Sequence, residues 1–289
     1  RFGDEAATDV HQRGALLREY SVGPTIGEGS FGVVASCRRR ATREEFAVKL
    51  VDKVETPVES IVQEIDVLRS VDHPNVVSLI GVFHEKCFVC IVMVKYAGGD
   101  LVRGIQRHFE EKGRVCCYES RHLMRQMGDG VCHLHSKGIV HRDVKAENFL
   151  LDRLDMVDPG CRVALSDFGT ARWASATERL SALAGTRTMW APEMFRQNYG
   201  PKVDVWASGV VFFVLLCADF PFHGEAEVKS EDPQLQPQVD PACQDLVRAM
   251  LRRDEGERPS AQQVVSHQWF SWDAHHRDAS PGSSALGGR

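Results

Sequence analysis

The stretch Gly27-Glu28-Gly29-Ser30-Phe31-Gly32 constrains this chain more tightly than any other. A GxGxxG lets a backbone approach phosphates closely because no Cβ stands in the way, and it occurs in two settings. In one, the glycines follow a strand and open a helix whose N-terminal N–H groups hold a pyrophosphate. Here Val33-Val34-Ala35-Ser36-Cys37 comes next, a β-branched run that predicts a strand. The glycines therefore belong to a hairpin flap. A dinucleotide-dependent oxidoreductase of the helix-opening kind is disfavoured.

The rest of the chain supplies the platform such a flap needs. From about Tyr20 to Val51 the pattern is strand-like, with the basic run Arg38 to Arg40 at a hairpin. From Pro57 to Val71 the apolar residues Ile61, Ile65, Leu68 and Val71 recur at helical spacing, and His73-Pro74-Asn75 stops that helix. Strand-like runs at Val76 to Phe83 and Phe88 to Lys95 precede a break at Gly98 and Gly99. Beyond it, Tyr118 to His135, Val203 to Cys217, Pro241 to Leu251 and Ala261 to Trp269 predict helices. A small strand-rich lobe, a short connector and a larger helical lobe follow.

Composition narrows the function classes. The 289 residues, 43% hydrophobic and 26% charged, can bury a sizeable globular core. A net charge of -5 gives no electrostatic reason to expect nucleic acid as a partner. The longest apolar run, Gly209 to Ala218, falls short of the roughly 20 residues a bilayer span needs, so no membrane partner is expected. Nine scattered cysteines, including adjacent Cys116 and Cys117, predict reduced thiols, and the Cys87/Cys90 CxxC falls in a stretch, Phe83 to Val94, that reads as two apolar strand segments, without a second CxxC or a suitably spaced histidine pair.

Three clusters carry chemistry. Phe46-Ala47-Val48-Lys49 is a strand ending in one lysine, and the following helix bears Glu64, an anionic partner able to orient a lysine that holds polyphosphate. His141-Arg142-Asp143-Val144-Lys145-Ala146-Glu147-Asn148 follows the helix ending near His135, and Asp167-Phe168-Gly169 follows a strand at Arg162 to Ser166. Phosphoryl transfer uses Mg²⁺ to neutralise phosphate oxygens, and Mg²⁺ takes a few oxygen ligands of the kind Asp167 and Asn148 offer.

With GxGxxGxV, AVK, HRDxKxxN, DFG and Ala191-Pro192-Glu193 in this order, from about Tyr20 to Phe270, the chain resembles the eukaryotic protein kinase family. The resemblance implies an α+β bilobal fold and assigns roles. Asp143 would orient the substrate hydroxyl and accept its proton, Lys49 would hold the α/β-phosphates with Glu64 behind it, and Lys145 would meet the γ-phosphate. Gly27, Gly29 and Gly32 would cover the nucleotide, Val34, Ala47 and Leu150 would sandwich adenine, and Asp100 would serve the ribose. Asn148 and Asp167 would hold Mg²⁺. Leu68, Leu79, His141 and Phe168 would stack as a spine. Asp204, Trp206 and Gly209 would open the buried central helix, and Glu193 with Arg258 would anchor the activation segment.

Lys145 and Thr186 are similar to the Ser/Thr branch. The insertion Asp152 to Gly160, the helix Gly-Val-Val-Phe-Phe-Val-Leu-Leu-Cys and the closing Ser-His-Gln-Trp-Phe resemble the calcium/calmodulin-dependent and calcium-dependent protein kinases. In that group Asp100 and Glu147 match acidic positions that bind a substrate Arg three residues before the acceptor, which a bidentate carboxylate contact makes sensible. Departures are also present. Lys95 stands where the hinge usually carries an acid, the hinge is one residue short, Thr188-Met189-Trp190 replaces the usual aromatic before Ala-Pro-Glu, and the segment from Phe222 to Pro241 is short and polar. Arg142 beside Asp143 predicts an activation segment organised by negative charge, yet Ala182 occupies the usual phosphorylated position; Ser181, Thr177 and Ser175 are nearby hydroxyls.

The expectation is thus a protein serine/threonine kinase using ATP and Mg²⁺ on protein substrates, preferring a basic residue before the acceptor. Its competitor is a nucleotide-binding pseudokinase or scaffold, which intact Lys49, Asp143, Asn148 and Asp167 disfavour. The expected layout is an N-terminal extension at 1–17, a kinase domain at 18–272 (N-lobe 18–95, hinge 96–100, C-lobe 101–272) and a flexible tail at 273–289. Opening on Arg1, the chain reads as a processed form or fragment, with room for a regulatory domain or calcium-sensor module outside it, since no EF-hand pattern lies within. Missing targeting signals predict cytoplasmic localisation, with nuclear residence also allowed.

Overall fold

In the computed structural model, residues 14–29, 32–175 and 177–271 are described. Ser30 and Phe31 of the glycine turn, most of the expected N-terminal extension and the expected tail lie outside the described residues. A short helix α1 (Ala15–Glu19) leads into strands β1 (Tyr20–Gly29), β2 (Gly32–Arg39) and β3 (Glu45–Asp52). After helix α2 (Val58–Ser70), strands β4 (Leu79–His84) and β5 (Phe88–Val94) complete an antiparallel sheet of order β1-β2-β3-β5-β4.

Central strand β3 shows why this sheet forms. Its alternate residues Phe46 and Val48 join Leu16, Tyr20, Ala35, Cys37, Cys90 and Val92 in one core cluster. Period-two geometry sends Ala47, Lys49 and Val51 to the other face, toward α2 and the cleft. Helix α2 buries Ile61, Glu64, Ile65 and Leu68 as a stripe at helical spacing. A carboxylate therefore lies on the apolar face, where only an ionic partner can satisfy it.

The chain leaves the sheet through residues 95–100, of which Gly99–Asp100 form strand β6, and enters helix α3 (Leu101–Lys112). Sequence periodicity did not predict α3. Its middle residue Gly104 is a poor helix former, but an added Cβ there would stand 2.5 Å from Leu151 Cδ1, so close packing excludes a side chain. Asp100 accepts the Arg103 N–H at 2.9 Å and caps this helix, the local signal that marks its start.

Helix α4 (Cys117–Ser136) runs beneath, followed by strands β7 (Ile139–Val140), β8 (Phe149–Leu151), β9 (Val163–Leu165) and β10 (Arg172–Trp173). β6, β8 and β9 form one small sheet; β7 and β10 form another. Asn75, from the predicted helix stop, donates to Val163 O and Gln126 Oε1, both at 2.9 Å, while its carbonyl receives Leu165 N–H. That single loop ties the upper sheet to the lower lobe.

Short helix α5 (Pro192–Phe195) precedes α6 (Lys202–Cys217), which is buried on almost every side, as its apolar run predicts. Helices α7 (Glu225–Ser230) and α8 (Pro241–Met250) follow; α7, only six residues long, is the helix that the short polar segment retains. At Gly209 an added Cβ would lie 2.9 Å from Met250 Cβ, which sets how closely α6 approaches α8.

The single helix expected over Ala261 to Trp269 is instead two, α9 (Ala261–Val265) and α10 (Gln268–Ser271). His267 Nδ1 accepts the Trp269 N–H at 3.2 Å, a side-chain acceptor in place of a helical carbonyl, and the resulting bend buries Trp269 completely. Among the described residues no helix is long and apolar enough to cross a membrane.

Candidate active site

Between sheet and helices lies a cleft of about 600 Å³, within the range of nucleotide-sized sites. Val34, Ala47, Met93 and Leu150 supply its apolar walls, and Lys49, Asp100, Lys145, Asn148 and Asp167 its polar ones. Val34 pairs with Lys49 across β2 and β3, and Ala47 pairs with Met93 across β3 and β5, so both apolar residues arrive by register. Asp100 pairs with Leu150 across β6 and β8, which sets a carboxylate at the rim beside the apolar floor.

Of the three loop glycines, Gly27 lines the cleft and an added Cβ there would meet nothing within 4 Å. Gly32 is different: a Cβ would fall 2.1 Å from Leu50 O, so this glycine lets β2 lie against β3. Gly29 ends β1, paired with Gly32 across the turn.

Lys49 is the junction of the site. Its Nζ lies 2.6 Å from Glu64 Oε1 on α2 and 2.9 Å from Asp167 Oδ1 beyond β9, and only 3% of its side chain is exposed. Burial alone would lower its pKa; the attraction and hydrogen bonds of the two carboxylates outweigh that and raise it. Lys49 therefore stays cationic. Asp167 takes a left-handed backbone, φ 60°, costly for a non-glycine residue and of order 1–3 kcal/mol. Phe168 is buried edge-on to His141, with ring centroids 5.0 Å apart, which holds the turn in that shape.

The loop 141–148 is pinned from below. Asp204, fully buried at the start of α6, accepts the N–H groups of His141 and Arg142, each at 2.8 Å, and pairs with His135 Nε2 at 3.0 Å. Burial would raise the Asp204 pKa, but these donors hold it below its usual value. His141 Nε2 faces Ser166 O at 3.0 Å, so this histidine braces the loop and does not point into the cleft.

Asp143 is thereby presented with both oxygens engaged. Oδ1 accepts the Thr186 N–H at 2.9 Å and the Thr186 hydroxyl at 2.8 Å, while Oδ2 lies 2.8 Å from Lys145 Nζ. Gly185, φ 76°, allows this approach, since a Cβ would stand 2.1 Å from Arg142 O. Asn148 donates its amide to Asp143 O at 2.8 Å, which directs its Oδ1 as the end available to a cation. The donor set of Asn148 and Asp167 is hard oxygen, suited to Mg²⁺.

Further from the chemistry, Glu193 and Arg258 form a bidentate pair at 2.5 and 3.0 Å under the segment that carries Thr186. The unusual hinge residue Lys95 is neutralised by Glu45 at 2.7 Å; together with Arg38 it pulls the Glu45 carboxyl down to about 2. An added Cβ at Gly98 would stand 2.1 Å from Arg153 O, and Arg107 donates to the Gly98 carbonyl at 2.7 Å, so the shortened hinge is held from below. Asp100 is occupied by its own helix and by Arg103 at 3.3 Å, whereas Glu147 is exposed at the rim.

Val34, Ala47, Lys49, Asp100, Lys145, Asn148, Leu150 and Asp167 stand in the cleft as the sequence predicts, whereas Met93 in its apolar wall was not expected, nor were Glu45, Arg107 and Tyr199, which act outside it. Arg142, expected to await a negative charge, instead donates to Thr170 O at 2.8 Å and to the Tyr199 hydroxyl at 3.2 Å.

Comparison with known proteins agrees with this geometry. The sequence profile described as "protein kinase domain" matches residues 20–270. Calcium-dependent protein kinase 25 of Arabidopsis thaliana is 34% identical over 272 residues, covering 89% of this chain and 51% of the relative. Serine/threonine-protein kinase DCLK3 of Mus musculus is 34% identical over 275 residues, covering 89% and 34%. Calcium-dependent protein kinase 2 of Oryza sativa subsp. japonica is 33% identical over 276 residues, covering 90% and 52%. The chain thus spans about half or less of the length of these relatives. A bilobal cleft with this lysine–carboxylate junction and a match over nearly the whole chain lead to one conclusion: the protein belongs to the protein kinase family, among relatives of the serine/threonine kind.

Proposed function

We propose that this chain transfers the γ-phosphate of ATP to Ser or Thr hydroxyls of protein substrates. One observation carries the reading: Lys49 bridges Glu64 on α2 and Asp167 in the lower lobe, so both lobes are joined around one cation at the head of the cleft. Phosphoryl transfer is governed by positioning and charge neutralisation, and the residues are arranged for both. Lys49 holds α/β-phosphate oxygens. Lys145, beside Asp143, neutralises the transferred group. Asp143 orients the incoming hydroxyl and takes its proton, with Thr186 holding one carboxylate oxygen in place.

Asn148 and Asp167 would hold Mg²⁺, which neutralises charge on the phosphate oxygens when bound. The exposed Glu147 supports a preference for a basic residue before the acceptor. Asp100 contributes less than its position in the family suggests, since Arg103 already pairs with it. The names of the calcium-dependent relatives, and the share of their length this chain spans, favour control by a calcium-sensing module elsewhere in a longer protein.

The test is γ-phosphate transfer from Mg-ATP to a Ser/Thr peptide array, comparing the chain with Asp143→Ala. Transfer that disappears in the variant supports the reading. Nucleotide binding without transfer in the parent chain, with Mg²⁺ present, replaces it with a nucleotide-binding scaffold.

A further inference from the structure

The strip of surface next to Thr186 carries charge that the proposed reaction does not use. Arg187 opens a 3₁₀ turn, Arg187–Met189, immediately after the residue bonded to Asp143. Its side chain is 69% exposed, and its guanidinium lies 2.9 Å from Glu225 Oε2 on α7. The other oxygen of Glu225 lies 2.6 Å from Lys229 Nζ. Two cations thus share one carboxylate. The second acid on that helix turn, Glu227, faces elsewhere and accepts the His223 N–H at 2.8 Å.

An aromatic pair lies beside these cations. Trp190 and Phe195 meet edge-on with centroids 5.4 Å apart. The Arg187 guanidinium carbon lies 5.9 Å from the Trp190 centroid and 5.6 Å from that of Phe195, and Lys229 Nζ lies 5.8 Å from Phe195. Trp190 is itself tied down by its indole N–H, which donates to Ala184 O at 2.9 Å. Trp190 before Ala-Pro-Glu and Phe195 just after it therefore form a shelf beside which the guanidinium sits.

We propose that Arg187 is a specificity-determining residue that selects an anionic side chain immediately after the acceptor Ser or Thr. This deepens the kinase reading and rests on it. An acceptor hydroxyl at Asp143 sits beside Thr186, and the next residue of an extended substrate lies about 3.3 Å further along, alongside Arg187. Exposed Glu147, which lines the cleft, suits a basic residue before the acceptor, so the two side chains call for opposite charges on the two sides of the acceptor. Arg187 can turn to a substrate carboxylate without stranding Glu225, because Lys229 stays paired with it. A guanidinium and a carboxylate then match in a two-point contact.

The experiment measures kcat/KM of the chain on peptides that share an Arg three residues before a Ser acceptor and differ only in the next residue: Glu, phosphoserine, Ala or Lys. The expected order is Glu or phosphoserine above Ala above Lys, with a Glu-to-Lys ratio of about tenfold, and the ratio between Glu and phosphoserine tells carboxylate from phosphate as the preferred anion. Arg187→Glu should reverse the order of Glu and Lys. If that variant loses all transfer, the parent decides: its Glu-to-Ala ratio should shrink as salt rises, because the contact is exposed. Equal turnover of Glu, Ala and Lys peptides overturns the inference while the kinase reading stands. Failure of the Ala peptide to show Asp143-dependent transfer overturns that reading instead.

Discussion

The hydroxyl of Tyr199 donates to the carbonyl of Ala182 at 2.5 Å, and the same hydroxyl receives Arg142 Nη1 at 3.2 Å. Leu180 and Tyr199 also exchange backbone hydrogen bonds at 2.8 and 3.1 Å. The segment around Ala182 is therefore fastened by a neutral relay from the arginine that sequence reasoning assigned to a negative charge. Ala182 has no hydroxyl to modify, and its carbonyl takes part in the fastening.

Ser175, Thr177 and Ser181 should accordingly be dispensable. The triple alanine variant is expected to retain most of the parent's transfer activity, and phosphatase treatment should change little. Tyr199→Phe removes both the donor to Ala182 and the acceptor for Arg142, weakening the local fold by about 1–3 kcal/mol. Transfer should fall severalfold, and limited proteolysis should cut more readily between Arg172 and Gly185. A triple alanine variant with less than a tenth of parental activity would show that a phosphate, not Tyr199, organises the segment.

Glu64 and Lys49 offer a second test. Glu64→Gln leaves Lys49 with Asp167 as its ionic partner, so the buried cation remains paired while its stem loses the hold from α2. Displacement of about 1 Å at a reacting group lowers rates on the order of 100-fold. The variant is expected to melt within a few degrees of the parent yet lose about 10- to 100-fold in kcat/KM for ATP. Unchanged kinetics would mean that Asp167 alone positions Lys49.

Much of this architecture is legible in the sequence because burial leaves periodic marks. The alternation through Phe46, Ala47, Val48 and Lys49, and the stripe of Ile61, Ile65 and Leu68, map directly onto buried faces. The cleft residues are legible because the chemistry needs unusual types at fixed spacing. Helix α3 is not, since Gly104 is dictated by Leu151, a contact 47 positions away in sequence. The break between α9 and α10 depends on a histidine nitrogen replacing a carbonyl. Tyr199 acts through Ala182 and Arg142, 17 and 57 positions away, and Glu45 reaches Lys95, 50 positions away, while Arg107 turns back nine positions to a hinge carbonyl that no side-chain pattern marks.

Glu193 and Arg258 present the cleanest stability prediction. The arginine side chain is fully buried, the carboxylate is 7% exposed, and Arg258 also donates to Arg252 O and Lys202 O at 3.0 and 2.9 Å. Removing one charge strands the other without water, at a cost of about 3–5 kcal/mol. For a domain of this size that corresponds to roughly 6–20 °C in Tm. Glu193→Ala should show that loss by calorimetry, and Glu193→Gln, which keeps a hydrogen-bond acceptor, should recover part of it. A change in Tm of less than about 2 °C for the alanine variant would mean that the surrounding carbonyls alone satisfy Arg258.

Asp204 makes the protein's acid response specific. Its folded pKa lies below the usual carboxylate value of 3.8, since burial is outweighed by His135 and by the N–H groups of His141 and Arg142. A depressed folded pKa contributes stability that is fully present above the unfolded value and is lost as pH falls through the folded one. The catalytic loop should therefore loosen below about pH 4, before protonation is complete. Urea midpoints measured from pH 7 downward should fall more steeply over this range for the parent chain than for Asp204→Asn, which starts less stable and carries no charge to lose. Parallel pH profiles for the two proteins would place the acid-sensitive group elsewhere.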